Sequence, residues 1–349
     1  AVQLIQEVAK TAEHLTVFQR SPNWCAPLHN GPIDPSEMAD IRSHYDEIFE
    51  RCRKSFSGFI HDSDERKALD VSEEEREALY EELYAAPGFG IWIGNFRDVL
   101  VDEAANATLS DFIARKIRER VEDKQLAEKL IPRDHGFGTR RVPMETGYYE
   151  VYNQDNVLLV DVNETPIEKV TIDGIQCSDQ EHPFDLIVYA TGFDAVMGPY
   201  KSIKFTGSDG RTLAEKWETG PSTYLGLATA GFPNMFTLVG PHNASTFCNM
   251  PRCIEQNVEW VSTFLEQLFG SDITRVEVNI DAEDEWTEHV YESVQRMLFS
   301  KVDSWFMGVN KNIEGRDTRT FMLYVGGFPS YTERCDDVAK DGYRGFIMS

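Results

Sequence analysis

Apolar residues fall three apart at Val2, Ile5 and Val8, which predicts one buried face of a short helix. The run Leu15–Gln19 then reads as a buried parallel strand, ended by Arg20 and Ser21 and broken by Pro22. Helix, short apolar strand and a charged residue at its carboxyl end is the order of the second half of a dinucleotide-binding βαβ unit, although that order also arises by chance. An arginine there suits the 2′-phosphate of NADP, where an acidic residue would bind ribose hydroxyls. Because Ala1 opens inside a helical pattern with no cap before it, the chain is expected to begin part-way into a fold. Residues 36–130 keep helical spacing. MADIRSHYDEIFERC, VSEEEREALYEELY and SDFIARKIRERVEDKQLAEKLI predict helices, the second capped by Ser72 and the third a helix or pair of helices. GFGIWIG at 88–94 resembles a glycine fingerprint but has the wrong spacing for a nucleotide loop. The whole stretch reads as a helical insertion with solvated charged faces.

Alternation returns after residue 152. NVLLVDV predicts a strand, and VTIDGIQC a hairpin turning at Asp173 and Gly174. Residues 186–189 read as a buried strand ending in Ala190, Thr191 and Gly192, small enough for a cofactor to come near the backbone. TYLGLATAGFPNMFTLVGP predicts strands stopped by Gly240 and Pro241. The helix after it should bury Ile254, Val258, Val261, Leu265 and Leu268 on one stripe. Its polar start would aim backbone N–H groups at an anionic or electron-rich ligand, or simply begin a core helix. Trp305 and Phe306 precede a Gly/Asn-rich loop, then a strand in FMLYVGG and an amphipathic tail.

Between these regions lies IPRDHGFGTRRVPMETGYYEVY, residues 131–152. Arg140 and Arg141 follow a bend at Gly136 and Gly138, bounded by Pro132 and Pro143, so this is loop. Adjacent arginines in a turn point different ways and can serve different partners; the plain alternative is two solvated surface arginines. The chain carries 34 basic against 59 acidic residues, a net charge of −25, so a paired cationic spot stands out. That balance argues against nucleic acid or an anionic membrane as partner, since both need a basic field. It leaves room for one phosphate on local arginines. The 349 residues suffice for two domains. Six scattered cysteines show no Cys-x-x-Cys and no Cys/His metal spacing, so reduced thiols in a cytoplasmic setting and no metal are expected.

Together VFQRS, DEAANAT, IPRDHGFGTRRVPMETGYYEVYNQDNV, IVYATGFDA, TYLGLATAGFPNMF, EQNVEWV, SWF followed by GVN, and FMLYVGG resemble the type I Baeyer–Villiger monooxygenases. The resemblance runs over essentially the whole chain and matches the carboxyl-terminal two-thirds of such enzymes, without their amino-terminal FAD motif. It implies an α/β flavoprotein with two dinucleotide-binding, Rossmann-like domains for FAD and NADP and a helical insertion. Residues 1–25 and 136–193 would form the NADP domain, 26–135 the insertion and 194–349 the second part of the FAD domain. Arg20 and Arg140 would grip the 2′-phosphate, with Gln3 and Ser21 also at the coenzyme. Arg141 would be the catalytic arginine beside the flavin and also contact NADP. Trp305 would touch the nicotinamide ribose and, with Ser245, Thr246 and Phe247, line the substrate pocket. Asn249 and Met250 would lie at FAD. The implied activity takes NADPH, O2 and a ketone to an ester or lactone. The alternatives are a related flavin monooxygenase acting on nitrogen or sulfur and a non-catalytic NADP(H)-binding regulator. Where relatives often read GAN-x-PGKPR after the tryptophan, this chain has the longer GVNKNIEGRDTR.

Overall fold

The computed structural model describes residues 1–244 and 248–349. In chain order, helix α1 (Val2–Val8) leads into strand β1 (Leu15–Gln19) and the two-residue β2 (Ala26–Pro27). Helices α2 (Pro35–Ser43), α3 (Tyr45–Lys54), α4 (Glu73–Ala85), α5 (Gly90–Ile93), α6 (Glu103–Arg120) and α7 (Lys124–Leu130) follow. Then come β3 (Met144–Glu145), β4 (Val157–Asp161), β5 (Ile167–Val170), β6 (Gly174–Cys177) and β7 (Glu181–Pro183). The remainder holds α8 (Gly198–Ser202), α9 (Leu213–Lys216), α10 (Met250–Phe269), β8 (Val276–Val278), α11 (Ile280–Val294), α12 (Phe328–Lys340) and β9 (Phe346–Met348). The backbone divides into two compact units, Ala1–Pro32 with Asp64–Gly192, and Ile33–Ser63 with Phe193–Ser349. Residues 33–63 thus group with the second unit, although the sequence placed them in one insertion with 64–135.

In the first unit β1 pairs in parallel with β4, Leu15 opposite Val157 through Gln19 opposite Asp161. Strands β5, β6 and β7 form an antiparallel sheet. Its first turn includes Asp173 and Gly174, as the alternation predicts. Ser72 caps α4 in a reciprocal box with Glu75, satisfying two backbone donors that a helix start leaves open. GFGIWIG contains the short helix α5. The third helical stretch is a pair, α6 and α7, packed through Phe112, Ile113, Ile117, Ala127 and Leu130.

Residues 186–189 do not form the buried strand that their apolar run predicts. No described strand pairs with them, and Leu186, Val188 and Tyr189 are 79%, 56% and 71% exposed. A strand's backbone groups need a ladder neighbour, which local apolarity cannot supply.

In the second unit residues 223–230 are buried and 223–240 are irregular, with an isolated bridge from Tyr224 to Ala228 in place of strands. Leu225, Gly226, Gly231, Asn234 and Val239 all have positive φ, and each such residue breaks a β ladder. Side chains satisfy this backbone instead. The Tyr331 hydroxyl donates to the Leu225 carbonyl at 2.7 Å, and Glu283 accepts from the Ala230 N–H at 2.7 Å. FMLYVGG is likewise buried without being a strand; its Met322 carbonyl accepts from His242 N and its Tyr324 N–H donates to Asn243. Helix α10 forms as expected, but its buried face is Cys253, Asn257, Trp260, Val261, Phe264 and Leu268. Ile254 and Val258, placed on the stripe by hydropathy, are 40% and 41% exposed. Trp260 and Phe264 carry more area than the aliphatics, and they pack on Tyr343 and Phe346, which turns the helix toward them. The expectation of six reduced thiols also fails. Cys248 and Cys253 are joined in a disulfide, because the turn into α10 brings their Cα atoms to 6.4 Å. Cys25, Cys52, Cys177 and Cys335 are free and buried. Among the described residues no helix is long and apolar enough to cross a membrane.

Candidate functional site

In the first unit the sequence-selected residues converge on the loop of residues 134–146. The loop is held from below by α6. Buried Asn106 donates to the carbonyls of Val99 at 2.7 Å and Phe137 at 2.9 Å, and the Ser110 hydroxyl accepts from Phe137 N–H at 2.9 Å. A β-carbon on Gly136 would overlap the Asn106 amide, and one on Gly138, at φ +79°, would press on Trp92 and Leu100. The Gly-x-Gly bend is therefore required for packing against the protein itself.

From that base a polar chain runs outward. The Trp24 indole donates to the His135 carbonyl at 2.9 Å, and the His135 ring joins Asn23 at 3.2 Å to Asp134 at 2.7 Å. Asp134 then receives Arg140 at 2.9 Å. Burial depresses the His135 pKa, with Asp134 opposing and Arg140 reinforcing the shift. Burial pushes the Asp134 carboxyl up, but its hydrogen bond to His135 and the Arg140 charge leave it below the usual carboxylate range. The Asn23 amide also donates to the Arg141 carbonyl at 3.0 Å. Residues 20–23 at the end of β1 are thus tied to the arginine loop from both sides of Asn23. The Gln3 amide reaches the Met144 carbonyl at 3.4 Å, and Gln6 accepts from Thr146 N–H at 2.9 Å, so α1 docks on the same loop.

Arg20 and Ser21 are exposed at the carboxyl end of β1, where Asn163 holds the Arg20 carbonyl at 2.6 Å. Arg141 is exposed, and among the described residues its guanidinium has no hydrogen-bond partner. Three guanidiniums in a chain of net charge −25, two of them on a clamped loop and one at the end of a parallel strand, suit a phosphate-bearing coenzyme. Asn23, Asp134 and His135 position this loop, and the sequence reading passed over them. Asp134 and His135 stand inside PRDHGFG, so the signal was present, but their roles depend on the distant Asn23 and Trp24.

In the second unit Asn249 and Met250 open α10. The Asn249 N–H donates to the Ser57 carbonyl at 2.8 Å, its side chain makes no cap, and Met250 is 46% exposed. A 20-residue helix whose first-turn N–H groups have no side-chain cap, with an exposed thioether beside them, fits an electron-rich ring system. Ser245, Thr246 and Phe247 lie outside the described residues. Trp305 is half-buried, edge-on to Phe306 at 4.5 Å. Among the described residues no hydrogen bond or ring contact joins Trp305 to Asn249 or Met250. The longer loop after it is anchored where buried Arg316 pairs with Asp194 at 2.5 Å and Asn310 donates to the Phe193 carbonyl at 3.1 Å.

No family model matches the chain. Curated relatives match it from end to end. A 2-oxo-Δ3-4,5,5-trimethylcyclopentenylacetyl-CoA monooxygenase of Pseudomonas putida is 48% identical over 348 residues, covering 100% of this chain and 64% of that protein. A Baeyer–Villiger monooxygenase of Pseudooceanicola batsensis is 36% identical, covering 99% and 63%. The crystal structure of OTEMO in complex with FAD and NADP superposes with a TM-score of 0.95 at 47% identity, covering 100% of this chain and 64% of that one. The chain therefore spans a little under two-thirds of these relatives, and over the length it has it is similar to Baeyer–Villiger monooxygenases, one of them solved with FAD and NADP bound.

Proposed function

We propose that this chain is part of an FAD- and NADPH-dependent Baeyer–Villiger monooxygenase that inserts one oxygen of O2 beside a ketone carbonyl to give an ester or lactone. The supporting observation is the clamped loop in which Asp134 anchors Arg140 through one guanidinium nitrogen while the neighbouring Arg141 guanidinium stays exposed. When bound, FAD supplies the oxygen chemistry and NADPH the hydride. Arg20, with Ser21 and Gln3 close to the same loop, and Arg140 hold the coenzyme and its 2′-phosphate. Arg141 keeps its charge at any working pH and stabilises negative charge developing on oxygen at the reacting centre. Asn249 and Met250 present the start of α10 to the flavin. Trp305 covers the nicotinamide ribose, and with Ser245, Thr246 and Phe247 it shapes the ketone pocket. Within this reading residues 1–25 and 136–193 serve NADP, 194–349 serve FAD and 26–135 are the insertion. Cytoplasmic residence belongs to the same proposal; the four free thiols favour it and the Cys248–Cys253 disulfide counts against it.

The test is made in the holoenzyme by measuring NADPH consumed, ester formed and peroxide released. Arg141→Ala is expected to lower ester formation by about a hundred- to a thousandfold while FAD stays bound. Arg141→Lys restores only part, since an ammonium keeps the charge but not the planar fork. Ester formation by Arg141→Ala near the wild-type yield per NADPH would remove the catalytic assignment. Oxidation of a thioether with no turnover of any ketone would favour the nitrogen/sulfur reading instead, and a holoprotein without flavin absorbance would favour the regulator.

A further inference from the structure

The β6–β7 hairpin carries a cluster that the oxygenation chemistry does not use. Ile175 lies opposite His182, and the Cys177 N–H donates to the Gln180 carbonyl at 2.9 Å, so Ser178 and Asp179 form a two-residue turn. Side chains two apart along a strand share a face, which puts Cys177 diagonally beside His182. Asp179 reaches back from the turn. One ligand atom from each of Cys177, Asp179 and His182 lies within 4.8 Å of the other two. Cys177 is completely buried and His182 is 7% exposed, while Asp179 faces solvent.

The histidine is the telling member. Its ring stands edge-on to Phe18 at 5.5 Å and stacks on Phe184 at 6.4 Å. Within this apolar frame Nε2 is buried with no hydrogen-bond partner among the described residues. An unpaired buried donor or acceptor is costly, so a position that served packing alone would favour an apolar ring. A cation placed there would give the orphaned ring nitrogen a partner and set a positive charge beside the Asp179 carboxylate.

We propose that Cys177, Asp179 and His182 bind a divalent transition-metal ion of the zinc class, with a fourth position open to water. Sulfur, imidazole and carboxylate together favour a borderline-soft ion over magnesium or calcium, which take oxygen ligands. Cys177 binds as thiolate and its proton leaves to solvent. Bonds of 2.0–2.3 Å place tetrahedral ligand atoms roughly 3.5 Å apart, so the site must contract by about 1 Å. Asp179, exposed on a turn, is the ligand free to move, and it also offers the ion an entry path.

The experiment titrates the purified chain with Co2+ and with Zn2+ in a Cys248→Ser, Cys253→Ser background, which removes the two disulfide sulfurs as rival ligands. A thiolate-to-Co2+ charge-transfer band and tetrahedral d–d bands at one equivalent, displaced by Zn2+, are expected. Cys177→Ser should abolish the charge-transfer band. His182→Gln and the surface change Asp179→Asn should each weaken Zn2+ binding at least about tenfold, the low end of losses measured for groups that only support metal ligands. Zn2+ should raise the melting temperature of the parent chain and not that of Cys177→Ser. Absence of a thiolate band, a band that survives Cys177→Ser, or Zn2+ affinity indifferent to Asp179→Asn would each overturn the proposal. Asp179→Asn keeps the test decisive even where a buried variant misfolds.

Discussion

At the scale of single residues, burial decides which groups titrate where. His242 is completely buried, with φ +62°, and its Nε2 donates to the Phe321 carbonyl at 3.2 Å while Nδ1 has no partner among the described residues. Burial lowers its pKa to about 4, against the pull of that hydrogen bond. The unfolded chain binds the proton near pH 6.5 and the folded one does not, so His242 costs nothing above pH 6.5 and removes stability as pH falls toward 4. Between pH 6.5 and pH 5 this amounts to about 2 kcal/mol. His242→Asn tolerates the left-handed backbone, and its stability should fall less over that interval; urea unfolding at the two pH values measures the difference. An unchanged pH slope would show that another group dominates. Arg20 acts at the same scale, on the coenzyme. A charge-assisted hydrogen bond contributes about 1.5–3 kcal/mol. Arg20→Ala in the holoenzyme should therefore raise the KM for NADPH at least about tenfold and leave NADH kinetics nearly unchanged. Equal losses with both coenzymes would make Arg20 structural.

At the scale of elements, ends and anchors matter more than propensity. Helix α4 begins with three glutamates after Ser72, whose hydroxyl accepts from Glu75 N–H at 3.2 Å while Glu75 accepts from Ser72 N–H at 3.1 Å. Ser72→Ala should lower stability by about 1 kcal/mol and Ser72→Asp by much less, because aspartate caps equally well. Thermal melts of the two variants check this, and equal melting temperatures would mean that tertiary contacts alone hold the helix start. Farther along, Arg120 ends α6 by binding buried Glu145 in β3 at 2.7 Å, Glu150 at 2.5 Å and the Tyr84 hydroxyl at 3.0 Å. That one side chain fastens the element before the arginine loop to the element after it. Burial works against its charge, and the bonds to Glu150 and Glu145 outweigh it.

At the scale of the whole molecule, the apolar row at 186–193 is the outstanding feature. Phe193 is 91% exposed, and in the segment before it Leu186, Val188 and Tyr189 are exposed as well. Exposed large apolar side chains drive association, while the net charge of −25 opposes it. The 349-residue chain by itself should bind a hydrophobic dye and self-associate more strongly as salt screens its charge. Replacing Leu186 and Phe193 by serine should reduce both. Sedimentation velocity across a salt series tests the point; a dye-silent monomer at every salt concentration would show that the row is covered.

The sequence by itself determined the elements whose causes are local. Strand β1, the β5–β6 turn, the capped start of α4 and the helix pair α6–α7 stand where periodicity and caps put them, because a helix face, a cap or a tight turn is specified within a few residues. The resemblance to Baeyer–Villiger monooxygenases was legible for a similar reason, since the motifs that carry it are contiguous blocks of side chains. Tertiary structure decided the rest. Residues 186–189 and FMLYVGG have strand-like sequences without ladders, because a strand exists only with a neighbour. The α10 stripe rotated toward Trp260 and Phe264 because Tyr343 and Phe346, about 80 residues away, were there to receive them. Gly136 and Gly138 proved to serve packing, and Asn23 and His135 gained their roles only when residues more than 100 positions apart met across one hydrogen bond. Local sequence can specify a local shape, but a contact requires both partners, and the second partner is chosen by the fold.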